Sequence, residues 1–170
     1  MSKNNLNILI LLALINNSFL YSYSDFKKYI RFENQNVVVD LESGLIWEDQ
    51  PNIAIKNRNE AVKYCENLDL DGYHGWRLPF IEELETLHDS TKNNPAIDPT
   101  FKNISSDWYW SITKFHSNSL QGWLKRFYGS QNIGLDLTFQ HSVKCVRSLD
   151  RDELDQINNF NLDSESEIDQ

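Results

Sequence analysis

Length, composition and charge limit what this chain can be. Its 170 residues favour one domain that can bury a sizeable core. With 25 acidic residues against 16 Lys and Arg, the formal net charge is −9. This balance argues against nucleic acid as a partner, because phosphate binding needs clustered Lys and Arg.

The first 24 residues have the parts of a secretory signal peptide. Lys3 precedes an apolar run over 6–15, and Ser22 and Ser24 suit the small-residue positions of a cleavage site. That run is much shorter than the ~20 apolar residues that a membrane-spanning helix needs. We therefore predict export to the periplasm or the cell exterior, with no transmembrane span after cleavage. The alternative is a retained N-terminal anchor.

The domain is predicted to occupy residues 25–149 and to begin with paired strands. Val37–Asp40 and Leu45–Trp47 are rich in β-branched and aromatic residues. Between them stands Ser43-Gly44, a pair typical of turns. The segment is therefore expected to form an antiparallel hairpin.

The clearest helix follows Asn57. This residue can cap the N-terminus, and Glu60 stands three residues later in the position of a capping box. Apolar residues then recur at helical spacing on one face. They are Ala61, Tyr64, Cys65 and Leu68.

A second helix is predicted to begin just after Pro79. Proline is favoured at a first turn, and the acids that follow suit the positive end of the helix. Its apolar stripe is Ile81, Leu84 and Leu87. We interpret Arg77 as a structural guanidinium that pairs with a nearby acid, because charged groups are rarely buried unpaired. The candidate partners are Glu82, Glu83 and Glu85.

The last third of the domain is predicted to be strands separated by Gly- and Asn-containing turns. The predicted strands cover 108–113, 123–127, 135–139 and 143–146. Strands, two helices and then more strands indicate an α+β domain with an antiparallel sheet.

Two cysteines, Cys65 and Cys145, are the whole cysteine content. In an exported chain this even count predicts one disulfide, which would tie the first helix to the final strand. If the chain is not exported, two free buried thiols become the better interpretation. Residues 150–170 hold eight carboxylates and one arginine, and we predict an acidic, disordered tail there.

Taken together, these segments resemble the Lcl C-terminal domain family, a group of bacterial exported domains. The matching segments run in family order over about 37–148 and are Asp40–Trp47, Ala61–Leu68, Gly72–Pro79, Pro95–Phe101, Tyr109–Ser111 and Lys144–Arg147. The resemblance implies a fold similar to C-type lectins and to formylglycine-generating enzymes, with two helices on antiparallel sheets. A cysteine on the first helix joined to one on the last strand is also part of that pattern.

The chain departs from both of those functional groups. Gln50-Pro51-Asn52 looks like the calcium and sugar segment of C-type lectins, but it precedes the first helix, and no Trp-Asn-Asp segment is present. Formylglycine-generating enzymes use a cysteine pair for copper-dependent oxidation, whereas both cysteines here are assigned to the disulfide. We therefore predict no cofactor and no copper chemistry.

Signals for other chemistry are weak. The four histidines lack zinc-like spacing with each other or with the cysteines, so no metal site is predicted. Asp40, Glu42, Glu48 and Asp49 could form an acid–base constellation. Strand alternation and turn chemistry explain them without a catalytic role. No nucleophile elbow or phosphate loop is present.

The aromatic residues are the strongest candidates for function. Trp47, Trp76 and Trp110 are expected in the core. Trp108 and Trp110 should share one face of a strand, with Tyr109 on the other. By analogy with lectin-like folds, Trp108, Tyr109, Trp123 and the loop over 115–122 are candidate ligand contacts.

The sequence therefore predicts a non-catalytic recognition module whose ligand is a glycan or a protein outside the cytoplasm. One alternative is an enzyme of the formylglycine-generating type or another envelope hydrolase, which would need a convergent cluster of acids with His in a deep pocket. A second is a structural envelope subunit, which a large apolar patch and oligomerisation would distinguish.

Overall fold

A computed structural model describes residues 27–155, apart from Glu33, Ser117 and Leu154. The predicted signal peptide over 1–24 and most of the predicted tail lie outside these residues. In chain order the elements are β1 (Tyr29–Ile30), β2 (Val37–Asp40), β3 (Leu45–Glu48), β4 (Ile55–Lys56), α1 (Arg58–Glu66), α2 (Ile81–Thr86), β5 (Tyr109–Lys114), β6 (Gln121–Arg126), β7 (Gln131–Asp136), β8 (His141–Ser142) and β9 (Val146–Ser148). Within the described part of the chain, no helix is long and apolar enough to cross a bilayer.

The strands form two sheets. The first has the order β1-β2-β3-β9 and the second β4-β8-β5-β6-β7. Neighbouring strands pair antiparallel, except that Tyr109 of β5 pairs in parallel with Ser142 of β8. The predicted α+β class with antiparallel sheets and two helices is confirmed.

Both helices begin where the sequence predicts. The Asn57 side chain accepts the Glu60 N–H at 3.0 Å, and the Glu60 carboxylate accepts the Asn57 N–H at 3.4 Å, which completes the capping box of α1. The α2 helix starts at Ile81, two residues after Pro79. Its predicted stripe is buried, with Ile81, Leu84 and Leu87 all at most 7% exposed.

The core consists of two clusters. One lies against α1 and contains Ala61, Cys65, Trp76 and Trp110. The other lies against α2 and contains Trp47 and several aliphatic and aromatic side chains. The predicted core positions of Trp47, Trp76 and Trp110 are confirmed, since each is at most 2% exposed.

The predicted disulfide is present. It joins Cys65 on α1 to Cys145, with their Cα atoms 5.5 Å apart. Both residues are fully buried in the core cluster against α1. The bond therefore connects the first helix to the C-terminal segment of the domain, although Cys145 lies just before β9 and not within the predicted final strand.

The strand predicted at 135–139 is wrong in position. The observed strand, β7, covers Gln131–Asp136. Gly129 and Ser130 both have positive φ, 79° and 44°, and they complete the turn before Gln131. Gly134, one of the glycines expected in the turns, therefore belongs to the strand.

The strand predicted at 143–146 is also wrong, because the chain changes sheets there. β8 belongs to the second sheet and β9 to the first. Between them, the Val143 N–H donates to Ala54 O at 2.8 Å, while Lys144 and Cys145 are buried. A continuous strand cannot serve both sheets, so the pairing is interrupted at 143–145.

Order extends past the predicted boundary at 149. Residues 151–153 are helical. Asp150 accepts the Glu153 N–H at 2.8 Å, and Glu153 accepts the Asp150 N–H at 2.9 Å, so the two form a capping box. Arg147 also donates to Glu153 at 2.7 Å. These contacts join the first residues after 149 to β9, and the predicted disorder of the acidic tail stays a prediction.

Candidate functional site

Two aromatic rings lie side by side on the outer part of the second sheet. The ring centroids of Phe115 and Trp123 are 4.7 Å apart, and their planes are inclined by 50°. Both side chains are partly exposed. Trp123 belongs to β6, and Phe115 follows β5, where its N–H donates to Gln121 O at 3.2 Å. We call this pair the aromatic platform.

Gly134 makes room for the platform. A Cβ atom built on this residue would lie 2.3 Å from Cδ2 of Phe115, much closer than real Cβ contacts. The Phe115 ring therefore lies directly against the backbone of β7, at a residue paired with Trp123 in the register. Glycine in a strand often marks such a close approach.

The loops beside the platform expose more apolar surface. Leu120 is 67% exposed and Phe139 is 55% exposed. Their loops are joined by a hydrogen bond from the Leu137 N–H to Leu120 O at 3.0 Å. The predicted contact loop over 115–122 therefore carries one ring of the platform at its start and an exposed leucine near its end.

Trp108 lies on the other face of the same sheet. It packs against the core cluster of α1, whereas Trp123 packs against the cluster of α2. The guanidinium carbon of Arg126 stands 4.8 Å from the Trp108 ring centroid. The structure therefore does not bring the predicted contacts Trp108 and Trp123 together.

Tyr109 is a core residue rather than a surface contact. It is 0% exposed, and its hydroxyl accepts the Ser105 N–H at 2.6 Å. Its ring packs on Phe127, with the centroids 5.6 Å apart. The predicted alternation of Trp108 and Tyr109 is confirmed, but this alternation turns Tyr109 inward and makes it unavailable to a ligand.

Burial raises the pKa of the Tyr109 hydroxyl, and this gives a testable pH dependence. When the pKa of a tyrosine is higher in the folded state than in the unfolded state, the unfolded chain ionises first as the pH rises. The stability that the neutral hydroxyl contributes is therefore present below about pH 10 and is lost at higher pH. Between pH 9 and pH 11 the free energy of unfolding should fall in the wild type. In Tyr109→Phe that fall should be smaller by about 1.4 kcal/mol.

Urea unfolding of both proteins at the two pH values measures this difference. Because each protein is compared with itself at two pH values, the cost of losing the hydrogen bond from the Ser105 N–H cancels. Equal pH dependence in the two proteins would contradict the assignment.

Arg77 pairs with Glu83, one of its three predicted partners. Its two terminal nitrogens donate to the two carboxylate oxygens at 2.7 and 2.6 Å. These hydrogen bonds raise the pKa of Arg77. Glu83 also accepts the Phe80 N–H at 2.8 Å, so the pair fixes the start of α2. The structural interpretation of Arg77 is confirmed.

A buried charge cluster lies at the end of β3, and no sequence pattern predicts it. Asp49 is 1% exposed and Lys144 is 3% exposed, and Lys144 Nζ lies 3.3 Å from Asp49 Oδ1. Asp49 also accepts from Arg31 and from the backbone of the 102–103 segment. Glu48 accepts the Cys145 N–H at 2.8 Å and the Tyr64 hydroxyl at 2.8 Å.

This cluster holds β3, the 98–104 segment and the C-terminal crossing together. Interpreting Glu48 and Asp49 as ordinary alternating strand residues is wrong, since both are buried and multiply hydrogen-bonded. Asp40 does follow turn chemistry, because it accepts the N–H groups of Glu42 and Ser43 at 3.0 and 3.3 Å. No signal in a single sequence separates buried acids of this kind from exposed ones.

Two surface grooves lie away from the platform. The larger, about 610 Å³, runs along α1 and is lined by Lys56, Glu60, Lys63, Tyr64, Asn67, Leu68 and Asp69. The smaller, about 240 Å³, lies between β1 and the end of α2. Neither groove includes Trp108 or Trp123. Among residues 27–155 that the structure describes, no three His, Cys, Asp or Glu side chains converge as metal ligands.

The chain matches a known domain family. The sequence profile of the Lcl C-terminal domain matches residues 36–147. This range starts just before β2 and ends within β9. It therefore contains both helices and the strands of both sheets, apart from β1 and the last residue of β9. No curated protein matches the chain.

Proposed function

The chain belongs to the Lcl C-terminal domain family, and from this premise we propose that it is an exported, non-catalytic recognition module. In this proposal the aromatic platform binds a glycan or a protein surface outside the cytoplasm. The observation that supports it is the pair of partly exposed rings, Phe115 and Trp123, held 4.7 Å apart over Gly134.

The chemistry of aromatic side chains suits such a binding surface. A tryptophan offers a large apolar face at low conformational cost, and such residues dominate the energetics of many interfaces. A planar ring can stack on the apolar face of a sugar or on an apolar protein side chain. Leu120, in the loop that follows Phe115, is a further exposed apolar residue, 67% exposed.

Two features of the chain support the proposed export. The N-terminal segment has the parts of a signal peptide, and the disulfide between Cys65 and Cys145 is a bond that persists in oxidising compartments. The proposed location is the periplasm or the cell exterior.

The binding prediction concerns Trp123. Glycan arrays and pull-downs with the purified full-length protein should first identify a ligand. We then expect Trp123→Ala to weaken its Kd about tenfold or more, because a truncated aromatic anchor costs on the order of 2 kcal/mol. Gly134→Ala, which pushes Phe115 away from β7, should weaken binding in the same direction.

Trp108→Ala is the matched control, since it removes the same side chain from the opposite face. It should leave the Kd within about twofold of the wild-type value. Equal losses for the two tryptophans would contradict the platform. Reproducible turnover of a substrate, with no stable partner, would contradict the non-catalytic function.

A further inference from the structure

The strand β7 is the longest open edge among the described strands. Each sheet ends in two edge strands, and three of these four are short. β1 and β4 have two residues each and β9 has three, whereas β7 has six. Very short edge strands are a common protection against pairing with another chain. β7 lacks this protection.

Other protective features are also missing from β7. The strand pairs with β6 over six consecutive residues without a register shift, so no bulge twists the edge away. Its sequence, Gln131–Asp136, contains no proline and no lysine. Within the described part of the chain, no strand pairs with its outer side. Unpaired backbone groups on a regular edge form a template for a further strand.

We propose that β7 pairs antiparallel with β7 of a second copy of this chain, about a two-fold axis. The two five-stranded sheets would then form one continuous sheet of ten strands. Such an interface is isologous, so the same strand must complement itself.

The charges on and beside β7 favour a second copy in the antiparallel direction. The one charged residue of the strand, Asp136, stands at its C-terminal end. At the other end, Gln131 pairs in register with Arg126, whose guanidinium donates to Gln131 Oε1 at 3.0 Å, while Glu85 accepts from the Asn132 side chain. An antiparallel copy brings each Asp136 to the Arg126 end of its partner, whereas a parallel copy would place the two aspartates together.

The dimer would also join the two binding surfaces, and this part rests on the proposed function. A two-fold axis perpendicular to a sheet keeps the same face of both copies on one side. Phe115 lies against Gly134, near the middle of β7. The two aromatic platforms would therefore lie on the same face, one on each side of the seam, and could contact one extended ligand together.

The oligomeric state tests the pairing without any ligand. Light scattering of the purified full-length protein should give twice the chain mass. Ile133→Lys places a charge on the edge strand and should halve that mass at the same concentration. Leu120→Lys adds the same charge to an exposed loop beside the sheet and should remain dimeric.

A second variant keeps the test decisive if Ile133→Lys does not fold. Asp136→Lys brings a positive charge to the Arg126 end of the partner strand, and we expect its dimer to dissociate at concentrations where the wild type does not. A wild-type protein that is monomeric at all accessible concentrations overturns the proposal, as does a folded Asp136→Lys variant that dimerises like the wild type. A monomer that still binds ligand through Trp123 would leave the proposed function standing.

Discussion

Replacing Asp49 with asparagine is expected to lower the free energy of unfolding by about 3–5 kcal/mol. The substitution keeps the shape of the side chain and removes its charge. Lys144 Nζ then remains buried, 2.7 Å from the carbonyl oxygen of Glu48, without its carboxylate at 3.3 Å. Leaving one partner of a buried ion pair uncompensated is among the most destabilising single changes.

The pH dependence of this variant identifies the cause. Burial already lowers the pKa of Lys144, and the Asp49 charge opposes that shift. Without Asp49 the pKa falls further, so over a wider range of pH the unfolded chain binds a proton that the folded chain has lost. Stability rises with pH wherever the unfolded state binds more protons. The deficit of Asp49→Asn should therefore shrink as the solution becomes alkaline.

Urea unfolding followed by tryptophan fluorescence measures both effects. Asp69→Asn is the matched control, because that side chain is 68% exposed and lies 3.7 Å from an imidazole nitrogen of His74. It should cost less than about 0.5 kcal/mol. The double variant Asp49→Asn with Lys144→Met should recover part of the loss, since it no longer buries the ammonium. Similar costs at Asp49 and Asp69 would contradict the role of the cluster.

Replacing both Cys65 and Cys145 with alanine is expected to cost about 4 kcal/mol. The bond joins residues separated by 80 positions, so it removes much of the chain entropy of the unfolded state. Alanine avoids burying a hydroxyl group, because both positions are 0% exposed.

Single substitutions separate the cross-link from packing. Cys65→Ala alone already breaks the bond, so most of the loss should appear in that variant. The second substitution should then add only the smaller cost of a lost sulfur atom in the core. Denaturant midpoints of the three proteins measure these steps. A double variant with wild-type stability would show that the bond does not support the fold.

The parts of the fold that the sequence predicts are those set by local patterns. Asn57 and Glu60 define a helix start through a capping box, and Pro79 followed by acids defines another. Ser43 and Gly44 mark a turn between apolar strands, where Gly44 adopts a φ of 67°. These signals act over a few residues, so tertiary contacts did not change them.

The errors occur where distant residues decide the structure. Gly134 looks like a turn residue, but it belongs to β7 because the ring of Phe115 occupies the space that a side chain would need. Lys144 looks like part of a strand, but it leaves the ladder to reach the buried carboxylate of Asp49. Neither partner can be identified from one sequence.

Only part of the candidate site could be predicted, because distant residues decide the rest of it. Alternation correctly separated Trp108 from Tyr109, but it could not tell which side of the sheet would be closed by α2. Trp123 and the start of the 115–122 loop do meet at the surface. Trp108 stacks under Arg126 on the opposite face, where only the folded register places it.

The crossing from β8 to β9 has a consequence for when the chain can fold. The last ten residues of the domain supply a strand to each sheet, β8 to the second and β9 to the first. They also supply Cys145 of the disulfide and Lys144, which pairs with Asp49. A growing polypeptide that has reached only residue 138 lacks all of these at once. We therefore expect the domain to complete its packing only when its synthesis is nearly finished, which would agree with the export proposed above.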